Sequence, residues 1–349
     1  MAPRSHEQLI ADQTRPMPAV VTADLSGKTL VLIGANVGLG FEAAKHFARM
    51  NPGRLVLTAR DEVKGKHALA QIRNDTGYSK AELWIIDLAS FDSVIGFAAK
   101  AEHELDRLDV LVESAGMMTW KYEQDAQDNY HFSLHTNNLG PELLAIRMIP
   151  KMLETARKHS VTPRLVVVAS DVHYWTAIEK DIITSPLGIL TRLSEKEYCT
   201  EEVMKHRYHD SKLFNVLFVR ALQDRVPSVP AITVNSVNPG LCLSGFLANS
   251  GIPSGSEDAK VLRKMQEEMA FTTEEGSRQL VYGAVGSLEN EEKLRGKYIQ
   301  MSKVVEESDF VISEDGKIVQ DKVWEETRQI LGKVDPKVFN VIKAYLTKA

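Results

Sequence analysis

The segment Lys28-Thr-Leu-Val-Leu-Ile-Gly34 is a short apolar run that passes directly into Ala35-Asn-Val-Gly38-Leu-Gly40 and then into a helical pattern from Phe41 to Met50. A run of that length bounded by glycine reads as a buried parallel strand, so the segment has the order strand, glycine turn, helix. Glycines there allow a tight turn and close approach of backbone amides, which leaves the positive end of the helix open to a pyrophosphate. The spacing Gly-x-x-x-Gly-x-Gly differs from the commoner Gly-x-Gly-x-x-Gly, and a plain βα turn has the same appearance. The rest of the chain decides between them.

Strand-like runs at 28–34, 54–59, 82–87, 108–114, 164–169, 231–237 and 297–301 alternate with helical patterns over 38–50, 62–75, 90–106, 128–158, 208–224 and 273–287. This alternation predicts an α/β fold with a single doubly wound, Rossmann-type parallel sheet and helices on both faces. At 349 residues the chain accommodates one such domain, 26–349, with additions. These are an N-terminal arm over 1–25, mobile or draped on the surface, and segments 173–207 and 241–275 covering the substrate side. Residues 320–346 are read as terminal helices broken near Asp335-Pro336.

Tyr208-His209-Asp210-Ser211-Lys212 opens a strongly apolar helical pattern downstream. Tyr208 and Lys212 lie one turn apart on one face, where an ammonium can favour an ionised phenol. Bringing a tyrosine from a pKa of about 10 to roughly 7 takes about 4 kcal/mol of differential stabilisation. Tyr-x-x-x-Lys alone also fits a rim tyrosine and a solvated lysine.

Taken together, these motifs resemble the short-chain dehydrogenase/reductase family over roughly residues 26 to 303. The likeness is nearest to the retinol-dehydrogenase-like branch and its filamentous-fungal members, many of them in secondary metabolism. The supporting matches are Asp87 after Leu83 to Ile86, Glu113-Ser114-Ala115-Gly116 after Leu108 to Val112, Ser170 after Leu165 to Ala169, and Asn238-Pro239-Gly240 after Ile232 to Val237. Candidates at C-terminal strand ends obey the rule for open α/β sheets. The resemblance implies four catalytic residues, Asn137, Ser170, Tyr208 and Lys212. Ser170 would hold the reacting oxygen while Tyr208 passes it a proton, and hydride transfer belongs to the cofactor. It implies cofactor contacts at Gly34, Asn36, Val37, Gly38, Leu39, Gly40, Arg60, Asp87, Leu88, Ser114, Ala115, Gly116, Tyr208, Lys212, Pro239, Gly240 and Ser244.

Asn137 lies in Thr136-Asn137-Asn138-Leu139-Gly140, with Asn138 as its rival. Pro141 cannot donate to the Asn137 carbonyl four residues back, so that oxygen needs a replacement donor. In the family the equivalent carbonyl holds a water leading to the active-site lysine, which implies a relay from Asn137 through water to Lys212. Two departures from the family pattern fall in one hydrogen-bond cluster: Ile33 stands where threonine is usual, and Glu113-Ser114 replaces paired asparagines. If buried, Glu113 needs a partner.

The second strand ends without an acidic residue and is followed by Arg60, which can pair with a 2′-phosphate, so NADP(H) is preferred over NAD(H). Met117, Met118 and Trp120, then Tyr174 and Trp175, then Phe246 and Leu247, follow three converging strand ends and predict an apolar, aromatic pocket. The expected substrate is a small lipophilic carbonyl or alcohol. His173 beside Ser170 is read as structural more readily than catalytic.

A net charge of -5 with 26% charged residues gives no reason to expect nucleic acid. Cys199 and Cys242 are too few for a disulfide framework and no metal-ligand spacing occurs, so no metal is expected. No apolar run is long enough to span a bilayer, and Met1 to Ala23 lacks a signal-peptide core, which points to the cytoplasm. The apolar faces of helices 128–158 and 208–224 are either internal or a homodimer interface. The leading expectation is an NADPH-dependent carbonyl reductase, reversible as an alcohol dehydrogenase. The alternatives are a redox-neutral dehydratase, isomerase or cyclase on the same scaffold, or a non-catalytic dinucleotide-binding protein.

Overall fold

The apolar runs pair with one another because, buried on both faces, they have no other partners for their backbone groups. In the computed structural model, which describes residues 5–124 and 130–347, they form β1 (Thr29–Ile33), β2 (Arg54–Ala59), β3 (Ala81–Ile85), β4 (Val110–Glu113), β5 (Arg164–Val168) and β6 (Thr233–Asn238). With β9 (Tyr298–Gln300) and β10 (Lys303–Val305) they make one sheet in the order β10-β9-β6-β5-β4-β1-β2-β3. All neighbours are parallel except β10, which returns antiparallel along β9 with Val304 opposite Ile299. That edge strand was not foreseen. A second, two-residue pairing joins β7 (Cys242–Leu243) to β8 (Phe271–Thr272).

Alternate residues of the central strands feed two cores. Leu30, Leu32, Leu55 and Leu57 pack with helices α2 (Gly38–Arg49) and α8 (Thr273–Val285). Val31, Ile33 and Leu111 face α4 (Phe91–Glu104), α5 (Gly140–His159) and α6 (Glu201–Gln223) on the other side. The remaining long helices are α1 (His6–Gln13), α3 (Glu62–Thr76), α7 (Glu257–Met269), α9 (Glu314–Val334) and α10 (Lys337–Tyr345). Asp335-Pro336 divides the last two where expected.

Three expectations change. The helix expected from 208 begins at Glu201, because Thr200 accepts a hydrogen bond from the Val203 amide and Glu201 and Glu202 complement the helix dipole. The long helix expected over 128–158 is three pieces: a turn over Phe132–Leu134, a π-helical turn over His135–Leu139, and α5; positions 128 and 129 lie outside the described residues. In the arm, α1 carries a capping box between Ser5 and Gln8, and Gln13 at its end is buried.

The apolar faces of α5 and α6 are filled from within the chain. Trp324 of α9 stacks on Phe218, and Val338 and Val341 of α10 are buried in the same core. Fully buried Arg147 of α5 bonds Asp335 and Glu102, and Arg220 of α6 and Arg225 just beyond its end reach Glu307 and Asp321. A second copy cannot use those faces without displacing the C-terminal helices. The insertion is held by the same element: Glu326 accepts from the Ile189 and Leu190 amides at 2.6 and 2.8 Å, capping a short helix, Ile189–Arg192, whose Gly188 has no capping side chain.

One buried polar cluster lies between sheet and helices. Glu113 on β4 is 4% exposed, and neither carboxylate oxygen has a hydrogen-bond partner among the described residues. Burial, reinforced by Glu142, raises its pKa well above the usual range. Glu142 on α5 accepts from Thr327 at 3.0 Å, and burial lifts its pKa to about 7. A raised folded-state pKa costs stability as pH rises from the ordinary carboxylate range to the folded value, and the cost levels off above it. Glu142→Gln is therefore expected to raise stability at pH 8 on the order of 3 kcal/mol relative to the parent, with the gain shrinking towards pH 5, as followed by urea unfolding at both pH values. A gain independent of pH would refute the account.

Candidate active site

The strand order reverses across β1 and β4, and the C-terminal ends of β1, β4, β5 and β6 carry Gly34, Ser114, Ser170 and Pro239-Gly240 to one edge. Gly34 has φ +81°, and a Cβ there would stand 2.7 Å from that of Ala115. A Cβ on Gly40 would meet the Gly34 carbonyl at 2.2 Å, so the first turn of α2 sits directly on β1. Gly38 also has positive φ, but its Cβ position is open. The N-cap of α2, Val37, makes no side-chain capping bond, whereas Asp61 and Ser90 cap α3 and α4. The uncapped amides of α2 and the open face of Gly38 therefore fit a pyrophosphate. Asn36 and Leu39 are half-buried around the turn and Val37 is exposed.

The position left by Ile33, a core residue opposite Glu113, is served from the neighbouring strand: Thr58 Oγ1 accepts from the Gly34 amide at 2.9 Å. The amides of Ser114 and Ala115 both donate to the Ile33 carbonyl. Asp87 closes a turn by accepting from the Ala89 amide, and the Leu88 carbonyl is overlain by Gly140, where any Cβ would come within 2.2 Å. Arg60 is exposed at the end of β2.

The π-helical turn directs its two asparagines differently. Asn137 brackets Met117, accepting from its amide and donating to its carbonyl, each at 2.8 Å, and its Oδ1 lies beside Gly116. Asn138 instead donates to the Ser211 carbonyl at 2.9 Å. The carbonyl of Asn137 finds its replacement donor in the Asn215 side-chain amide at 2.9 Å, rather than in a water alone. Ser211 completes the connection, its hydroxyl accepting from Asn137 Nδ2 at 3.0 Å and donating to the Tyr208 carbonyl at 2.8 Å. Tyr208, Ser211 and Asn215 stand three and four residues apart on one face of α6, a periodicity present in the sequence.

Lys212 is 5% exposed, and its ammonium donates to the Val168 carbonyl at 2.7 Å, 5.7 Å from the Tyr208 ring centre. Burial lowers its pKa to about 8. Tyr208 keeps part of its surface open to the cleft, yet burial raises its phenol above the ordinary value, the Asp171 carboxylate adds to that, and the nearby Ser170 hydroxyl pulls the other way. In the protein alone the phenol is protonated at neutral pH, because burial disfavours its charged form. Ser170 Oγ is 3.2 Å from Asp171 Oδ1 and accepts from the Val172 amide.

Phe246 lies against Tyr208, ring centres 5.4 Å apart, just after the half-buried Ser244. Trp120 donates its amide to the Ser250 carbonyl, and its indole N–H is buried without a hydrogen-bond partner among the described residues. Trp175 meets His209 edge-on, 6.3 Å away. Tyr174 packs on His173 and Tyr298 and gives its hydroxyl to the Glu306 carbonyl, which turns it towards β9. His173 is fully buried, with Nδ1 2.7 Å from the Ser170 carbonyl and Nε2 accepting from the Ser308 amide. That geometry makes it a clamp on the loop after Ser170. Among the described residues no group of three or more His, Cys, Asp or Glu is placed to hold a metal, and no helix is long and apolar enough to cross a membrane.

The family profile for short chain dehydrogenase matches residues 28–173. The chain is 35% identical over 321 residues to "Short chain dehydrogenase/reductase dmxR8" of Cryptosporiopsis sp. (strain 8999), covering 91% of this chain and 94% of that protein. Two solved structures share the fold: a short-chain dehydrogenase from Sphingobium yanoikuyae in complex with NADPH (TM-score 0.52, 20% identity, 72% of this chain and 81% of that one), and NADH-dependent reductase A1-R' complexed with NAD (TM-score 0.55, 17% identity, 80% and 96%). The chain belongs to the short-chain dehydrogenase/reductase family, whose members are NAD(P)-dependent oxidoreductases.

Because the buried Lys212 ammonium loses its proton near pH 8, kcat/KM, which reports groups of the free enzyme, is expected to show a limb there. A profile flat from pH 7 to 9.5 would remove Lys212 from the rate-determining ionisations.

Proposed function

We propose that this protein is an NADPH-dependent short-chain reductase that transfers a hydride between nicotinamide and a lipophilic carbonyl or alcohol. The observation that carries this reading is the meeting of Ser170, Tyr208 and Lys212 beside Gly116 and Asn137, under Phe246. A protonated phenol beside Ser170 suits delivery of a proton to a carbonyl oxygen, so reduction is the favoured direction.

The bound cofactor supplies the hydride. Ser170 orients the reacting oxygen and Tyr208 Oη gives it a proton. Lys212, anchored on Val168, offers positive charge to the resulting tyrosinate, and Asn137, held by Met117, Ser211 and Asn215, fixes the wall opposite. Arg60, exposed and following a strand that ends without an acid, supports a 2′-phosphate and hence NADP(H) over NAD(H). The resemblance to filamentous-fungal members points to a role in secondary metabolism, and the cytoplasm is the compartment we assign.

Turnover of NADPH against hydrophobic ketones, aldehydes and quinones tests the reading. Tyr208→Phe is expected to lose about 10²- to 10⁴-fold in kcat while still binding NADPH; substantial residual turnover would sink the proton-transfer assignment. Cofactor binding without turnover across the panel would favour a redox-neutral step. Separately, Arg60→Ala should cut the NADPH-over-NADH preference in kcat/KM by about ten-fold, the value of one charge-assisted pair, and an unchanged ratio would place the 2′-phosphate elsewhere.

A further inference from the structure

Residues 244–269 leave the body of the protein after β7 and return before β8. On the way they lay Phe246 on Tyr208 and take the Trp120 amide on Ser250, so the excursion roofs the catalytic tyrosine. It is weakly anchored: α7, its main element, has no fully buried residue, and Lys260, Arg263 and Lys264 are exposed. Its base is two residues of β7 paired with two of β8. So short a pairing does little to fix the ends of a long segment.

A third strand of contact comes from the other end of the chain. Gln13, 5% exposed at the end of α1, donates through Nε2 to the carbonyls of Leu241 at 2.8 Å and Met269 at 2.9 Å, and accepts from the Leu241 amide at 3.0 Å. One side chain thus holds the residue before β7 and the last residue of α7. Gly240, with φ +75°, makes room, since a Cβ there would stand 2.9 Å from Gln13 Oε1. The arm is tied down on either side: Asp12 accepts from Gln300 on β9, and Arg278 on α8 donates to the Met17 and Pro18 carbonyls.

We propose that the N-terminal arm is a brace for the substrate roof, with Gln13 a positioning residue that fixes both ends of the 244–269 excursion over Tyr208. Its role in turnover rests on the reductase reading; its effect on the roof does not. Losing the side chain takes the partner from the part-buried Leu241 amide and Met269 carbonyl and leaves the Leu241 carbonyl with the Phe271 amide alone, which favours local opening of the roof while the sheet stays closed.

The test is limited trypsin digestion of the full chain, with mass detection of cleavage after Lys260, Arg263 and Lys264 against cleavage after the remote, exposed Lys66 of α3. Gln13→Ala should speed roof cleavage about ten-fold and leave Lys66 unchanged. Gln13→Glu keeps the acceptor for the Leu241 amide but cannot donate to the two carbonyls, so it should show the same selective acceleration. In active protein both variants should raise KM for the carbonyl substrate several-fold with a smaller change in kcat. Unchanged roof cleavage, or equal acceleration at Lys66, would overturn the brace, and unchanged KM beside a loosened roof would overturn its part in substrate positioning. Absence of turnover in the parent as well would count against the reductase reading, leaving the digestion to decide the brace.

Discussion

The site depends on one buried helix. Helix α6 carries Tyr208, Ser211, Lys212 and Asn215, and it is fixed because its opposite face has no solvent to turn towards: the sheet lies on one side and α9 on the other. Rotating the helix would bury Lys212 without the Val168 carbonyl and strand the Asn137 carbonyl without Asn215. Unpartnered buried groups of that kind cost more than the bonds contribute, so the polar contacts select the rotation while the apolar contacts supply the stability.

The C-terminal helices do more than extend the fold. They fill the apolar faces of α5 and α6 from within the chain, and through Glu326 they cap the short helix of the insertion before Tyr208. The insertion, the terminal helices and α6 form one packed unit, and the length between Ser170 and Tyr208 is taken up without separating the two residues. The buried Glu113 and Glu142 lie beside this unit as an uncompensated cost, with α9 contributing only the Thr327 hydroxyl.

Electrostatics in the cleft runs against simple pairing. A lysine one turn from a tyrosine invites the conclusion that the phenol is acidified, yet the ammonium is spent on a backbone carbonyl and desolvation governs both groups. The neighbouring Asp171 carboxylate strengthens the protonated state of the phenol, which is the form a reductase needs before it delivers its proton.

The strand runs, the glycine turn and the periodicity of the helices were legible because local burial on two faces and the steric needs of Gly34 and Gly40 are written residue by residue. The sequence by itself determined the doubly wound sheet and which strand ends carry Ser114, Ser170 and Pro239-Gly240. Only the tertiary structure decided which of Asn137 and Asn138 turns to the cleft, that Thr58 and not Ile33 serves Gly34, that Asn215 holds the broken carbonyl, and that Gln13 reaches the roof from more than two hundred residues away. Those outcomes rest on hydrogen bonds between groups distant in sequence, and on the cost of burying one of them unpaired, neither of which has a periodic trace in the chain.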